Sequence, residues 1–302
     1  MSPAKLPRSR ALRLALSVAG AIGGMYLLLV GIIWYTQASF MFYPGRVVDA
    51  TPGESGVKFE NVTLSLGRDQ VAGWWVPSDD PQAGTLLYMH GNAANVSANL
   101  GKVLLFRSTG LNVFIFDYRG YGNSTGGPPR EKLIYDDAER AWHYLVAERH
   151  IPPKHIVLYG HSLGGAVAID LASRHPEAGA LITEGTLTSV AEKADEVAWT
   201  TYLPVRLILT ERFDSLSKIG AVHVPKLILH GADDTMASPR MARRLYAAAA
   251  EPKQIALIVG GGHADSAGMN PAAYFAAVND LLSQYGFKPG KTPQSERSPG
   301  RN

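Results

Sequence analysis

One pentapeptide limits the choice of fold more than any composition figure does. Gly160-His161-Ser162-Leu163-Gly164 joins an apolar run, HIVLY, to a helix-forming run, LGGAVAIDLA. A chain that turns from a strand directly into a helix makes a tight bend, and small residues on either side of the apex avoid a Cβ clash. The serine hydroxyl then projects from the strand end. The positive end of the helix behind it favours developing negative charge. This context predicts a nucleophilic Ser162 at the end of a buried strand.

The rest of the body repeats the same alternation. Two β-like runs, 57–66 and 71–76, flank a turn at Gly67-Arg68-Asp69 and read as a hairpin. Short continuous apolar runs follow at 85–89, 113–116, 156–159, 180–183, 226–229 and 255–259. Runs of that kind suit strands buried on both faces of a parallel sheet. Helical spacing is read at 130–150, 163–174, 240–250 and 272–285 between them. The expected fold class is α/β, a mostly parallel sheet with helices on both faces. One interval, from Ser189 to Val224, is too long for a plain crossover. Residues 190–223 read either as a small cap or as a helix plus loop.

Net charge is +3, but it is unevenly placed. The two ends together hold +7, and residues 14–285 hold −4. A mildly acidic body argues against nucleic acid as a partner. The chain has no cysteine, so disulfides, thiolate metal sites and a cysteine nucleophile are excluded. Its 31 Gly and 19 Pro fall in no repeat, which argues against collagen and solenoids.

Residues 1–13 form a basic flank with Lys5, Arg8, Arg10 and Arg13. Residues 14–35 follow without a charge. As a helix they measure about 33 Å, enough for a hydrocarbon core of about 30 Å. Trp34 and Tyr35 sit at the far end, where aromatic rings favour the interface. The segment is read as a single transmembrane anchor, with a cleaved signal and a buried helix as alternatives. The basic flank places the N-terminus in the cytoplasm and the rest across the membrane. Residues 40–285 are the expected catalytic domain. The polar, Pro- and Ser-rich 286–302 is expected to be a disordered tail.

A serine hydroxyl needs a base. His263, in a glycine run just after the last apolar strand, is the candidate. His90, His161 and His230 also lie at strand ends. An acid must hold the imidazole in one tautomer. Asp234 and Asp233 both follow the strand KLILH, and residue type alone does not separate them. The order Ser162, acid, His263 is that of one hydrolase fold. Two backbone N–H groups would hold an oxyanion: that of Leu163, and that of Asn92 or Ala93 in the turn His90–Asn95.

The pieces HGNAAN, DYRGYGNS, GHSLGG, HGADD and GGGHAD together resemble the α/β-hydrolase superfamily. Phe42-Tyr43-Pro44 behind one anchor resembles its single-pass, ABHD-type branch, with lysophospholipase-, acylglycerol lipase- and depalmitoylase-like members. The resemblance covers about residues 40–285. It implies an eight-stranded sheet and places the acid at Asp234. It implies a serine esterase or thioesterase acting on an acyl substrate at a lipid bilayer, without metal, cofactor or obligate protein partner. Acyl transfer and peptidase chemistry use the same triad, and a noncatalytic scaffold is the reading of another class. The loop Thr235–Pro239 lacks the bulky aliphatic residue usual in the family. The connection after the sixth strand is short for a lipase lid. Asp117 and Arg119 are read as a buried structural pair.

Overall fold

The computed structural model describes residues 8–287. Helix α1, Arg8–Met41, leads into the body. The main sheet has eight strands: β1 Glu60–Leu66, β2 Asp69–Val76, β3 Thr85–Met89, β4 Asn112–Phe116, β5 Ile156–His161, β6 Ala180–Glu184, β7 Lys226–Gly231 and β8 Lys253–Ile258. Their spatial order is β1-β2-β4-β3-β5-β6-β7-β8. Only β2 runs against its neighbours. The hairpin β1–β2 pairs Leu66 with Asp69 across a tight turn at Gly67. This is the α/β-hydrolase fold. A parallel ribbon pairs Tyr43-Pro44 with Ala93-Ala94 and ties the end of α1 to the turn after β3.

The sheet divides the core by its period of two. Leu87, Phe114, Phe116 and Leu158 face one layer, and Leu86, Tyr88, Val113, Ile115 and Val157 the other. Helices α3 Glu131–His143, α4 Leu163–Arg174 and α8 Pro239–Ala248 cover the first face. Helices α2 Leu100–Ser108 and α9 Pro271–Gln284 cover the second. Each buried Leu, Val or Phe contributes roughly 1.5–3 kcal/mol of transfer free energy. In α3 the buried set Ile134, Ala138, Ala141 and Trp142 repeats every three to four residues. Ser238 caps α8 and Pro239 is its first residue, the pairing that an isolated helix start favours.

Several boundaries differ from the sequence reading. The helix read at 14–35 runs six residues further, to Met41, and takes in the basic residues from Arg8. Phe40 therefore belongs to a helix rather than to the start of the catalytic body. The helix read through His150 narrows to α3 and ends in a five-residue π turn, Tyr144–Glu148, ahead of Pro152. The interval 190–223 is neither one helix nor one cap. Helices α5 Val190–Asp195 and α6 Val205–Ile208 overhang the sheet edge. Phe213, Ile219 and Val222 are wholly buried in the main core, and α7 Ser215–Lys218 packs on α4. The overhang thus ends near residue 210. At the other end Phe287 is 5% exposed, so the fold extends beyond 285. Lys288–Asn302, most of the expected tail, lies outside the described residues.

Candidate active site

The elbow after β5 is built by steric exclusion. Ser162 sits at φ 56°, ψ −121°, a backbone conformation unusual for a residue with a Cβ. A Cβ on Gly160 would lie 2.1 Å from the carbonyl oxygen of Gly164. One on Gly164 would lie 2.1 Å from that of Met89. Both positions admit only glycine without moving backbone. The Ser162 N–H donates to the carbonyl of Glu184 at 2.8 Å, which fixes the apex to the neighbouring strand end.

Three of the candidate residues converge there. His263 Nε2 lies 2.9 Å from Ser162 Oγ, and His263 Nδ1 lies 2.8 Å from Asp234 Oδ2. Asp234 is buried beneath the imidazole. Its Oδ1 accepts the N–H groups of Met236 and Ala237, both at 2.8 Å. Burial opposes the charge on Asp234. Hydrogen bonds from His230, His263 and the Ala237 N–H outweigh it and hold the carboxyl far below the usual carboxylate range. Asp233 instead is exposed, and its N–H binds the carbonyl of Gly261. Geometry therefore separates two neighbours that residue type leaves equivalent.

The two turns expected to supply N–H donors flank Ser162. Leu163 opens α4, and its N–H has no intrahelical partner by position. Asn92 is held at three points. Its side chain donates to the Met41 carbonyl at 2.8 Å, and its own carbonyl accepts from Tyr43 N–H at 2.9 Å and Tyr121 OH at 2.8 Å. Leu163, Asn92, Ser162 and His263 all line one cavity of about 460 Å³. That volume lies in the range of small-molecule sites.

A supporting layer was not legible in the sequence. Glu184, at the end of β6, is buried and accepts from Lys102 Nζ at 2.6 Å, Tyr159 OH at 2.6 Å and Tyr274 OH at 2.8 Å. Burial works against its charge, but the Lys102 ammonium and the hydrogen bonds from Lys102 and Tyr159 keep its carboxyl below the ordinary value. His161 turns away from Ser162, and its Nε2 lies 2.9 Å from the carbonyl of His263. Burial pushes its pKa down to about 4, so the ring is neutral and its Nε2–H donates to that carbonyl. His230 Nε2 lies 2.9 Å from the Ala237 carbonyl and 3.2 Å from Asp234 Oδ2. His90 is buried between Tyr118 and Tyr121, and burial lowers it to about 4.

Asp117 and Arg119 are buried, but they do not pair with each other. Asp117 accepts the Val96 N–H at 2.9 Å and braces the turn after β3. Arg119 Nε donates to Asp137 on α3 at 2.5 Å. Among the described residues, no three His, Asp or Glu side chains converge as a metal ion requires.

Residues 84–204 match the family model described as alpha/beta hydrolase fold. The uncharacterized protein Rv2307c of Mycobacterium tuberculosis is 32% identical over 290 residues, covering 92% of this chain and 97% of that protein. Alpha/beta hydrolase domain-containing protein 17B of Xenopus laevis is 33% identical over 186 residues, 60% of each chain. The esterase Pf2001 of Pyrococcus furiosus superposes with a TM-score of 0.66 at 19% identity, over 81% of this chain and 98% of its own. The strand order, the elbow and these likenesses agree, and the chain belongs to the α/β-hydrolase superfamily.

Proposed function

We propose that this protein is a membrane-tethered serine hydrolase that cleaves carboxylic ester or thioester bonds of amphiphilic acyl substrates. The observation that carries the reading is the unbroken series Asp234–His263–Ser162, with contacts of 2.8 and 2.9 Å, opening on an apolar cavity. The structural neighbour that is itself an esterase adds support.

In this mechanism Ser162 Oγ attacks the acyl carbonyl carbon while His263 Nε2 takes its proton. The negative oxygen of the tetrahedral intermediate is held by the N–H groups of Leu163 and Asn92. The intermediate collapses, and His263 gives its proton to the departing alcohol or thiol. Water repeats the sequence on the acyl-enzyme and releases the acid. Asp234 remains ionised and stabilises the imidazolium throughout. The chemistry draws on no cofactor.

Helix α1 is the proposed anchor, with the span at 14–35, the N-terminus in the cytoplasm and the catalytic body on the opposite side. Its apolar side chains support this. Leu16, Ile22 and Leu27 are 63%, 64% and 68% exposed, with no protein cover. Exposed apolar surface on that scale marks a lipid or protein contact.

The test is a fluorophosphonate probe on detergent-solubilised protein, wild type beside Ser162→Ala, followed by acyl esters and thioesters of rising chain length. Labelling lost only in the variant, with turnover, is the expected result. Folded wild type that neither labels nor turns over any ester or thioester sinks the reading.

A further inference from the structure

Helix α1 does not stop where the uncharged stretch stops. Its last turns run on into the wall above Ser162. Along this end Val30, Ile33, Gln37, Ala38 and Met41 are covered in part or whole, while Ile32, Trp34 and Tyr35 are 51%, 53% and 81% exposed. A spacing of three to four residues is one helix face. Residues 202–210, more than 150 residues away in sequence, meet this side of α1.

The contact is specific. Gln37 Nε2 donates to the Ile208 carbonyl at 3.2 Å, and Gln37 Oε1 accepts the Thr210 N–H at 2.8 Å. Further back, Tyr26 OH donates to the Tyr202 carbonyl at 2.9 Å. Tyr26 and Gln37 are about 16 Å apart along a helix axis. The overhang therefore follows α1 well into the uncharged stretch. Between them lies the cavity, with Ile33 and Met41 on the α1 side, Leu203 and Leu209 on the other, and Ser162 and His263 at its base.

We infer that α1 is one wall of the acyl-binding chamber and that Ile33 sets the length of chain it accepts. This deepens the hydrolase reading and rests on it. The Met41 carbonyl touches Asn92 beside Ser162. Ile33 lies about 12 Å further along the helix from Met41. A short acyl group bound at Ser162 does not reach it, and a long one does. Lys193, the one Lys, Arg, Asp or Glu side chain on the lining, is already paired with Glu196 at 2.9 Å. The lining thus offers apolar contact rather than a free charge, and it continues into the uncharged face of α1. Each methylene buried there is worth about fourfold in kcat/KM.

The test uses the full-length chain in detergent with p-nitrophenyl acetate, octanoate and dodecanoate. Ile33→Trp is expected to lower the dodecanoate-to-acetate ratio of kcat/KM by about fifteenfold, the value of two lost methylenes. Ile32→Trp, one residue away on the exposed face, should leave that ratio within about twofold of wild type. Equal shifts in both variants, or none in either, overturn the assignment. Should Ile33→Trp not fold, Ile33→Ala decides. It is expected to move the preferred chain to a longer ester, and an unchanged length profile overturns the inference. Wild type that hydrolyses none of the esters and is not labelled at Ser162 sinks the hydrolase reading instead. Wild type that hydrolyses all three esters alike overturns only the wall.

Discussion

The elbow after β5 and the overhang of residues 190–209 face each other across one cavity, yet they are held in opposite ways. Around Ser162 the strands and α4 are almost fully buried, a Cβ added at Gly160 or Gly164 would meet backbone at 2.1 Å, and the apex is bonded to the next strand. The overhang is two short helices and a single 3-10 turn, with Trp199, Tyr202 and Leu207 at 55%, 80% and 86% exposure. A reacting group must be placed to within a fraction of an ångström, which demands over-determined packing. A surface that takes up a flexible chain, or lies against lipid, gains by adaptability. In the proposed hydrolase the two sides of the cavity divide those tasks.

The sharpest way to break that comparison is on the rigid side. Ser162→Ala should lower kcat by on the order of 10⁵, read by ester turnover, with the far-UV spectrum and Tm unchanged. Next is the acid. Asp234→Asn should cost about 10³–10⁴ in kcat, because the imidazole loses the partner that fixes its tautomer. Asp233→Asn should stay within about twofold. Equal losses in the two variants would undo the assignment of Asp234.

Stability should divide the same way. Gly164→Ala drives a methyl against the Met89 carbonyl and should destabilise by about 3 kcal/mol in urea unfolding. Leu207→Ser, on the exposed overhang, should change stability by no more than roughly 0.5 kcal/mol. A large loss from Leu207→Ser would show that the overhang is as tightly built as the elbow.

The last expected effect is a pH slope. His161 titrates at about 4 in the folded chain and near 6.5 when unfolded. The unfolded chain therefore takes up its proton first on acidification. The stability linked to this ring is complete above about pH 6.5 and is lost as pH falls toward about 4. Urea midpoints at pH 7.5 and 5 should fall further apart in wild type than in His161→Gln. Identical shifts would remove His161 from the account.

Much of the fold was legible because its signals are local. The strand at 85–89 and the helix at 163–174 have the bounds their apolar patterns imply. The elbow was legible for the same reason, since clash, turn and helix start all lie within five residues. The support of the site was not. Glu184 gathers Lys102, Tyr159 and Tyr274 from three separate elements, and nothing adjacent in sequence announces it. The overhang was misjudged in extent because Phe213 and Ile219 carry no mark that distinguishes a core residue from a cap residue.

By itself, then, the sequence determined the alternation of strands and helices, the serine apex and the chain order of serine, acid and histidine. These follow from periodicity and steric exclusion over a few residues. The resemblance already placed the acid at Asp234; only the tertiary structure set its carboxylate 2.8 Å from the imidazole and the last turns of α1 on the cavity. Both depend on which surfaces meet across more than a hundred residues of chain or on the path of one loop. No local pattern encodes such a meeting, because it is chosen by the packing of the whole.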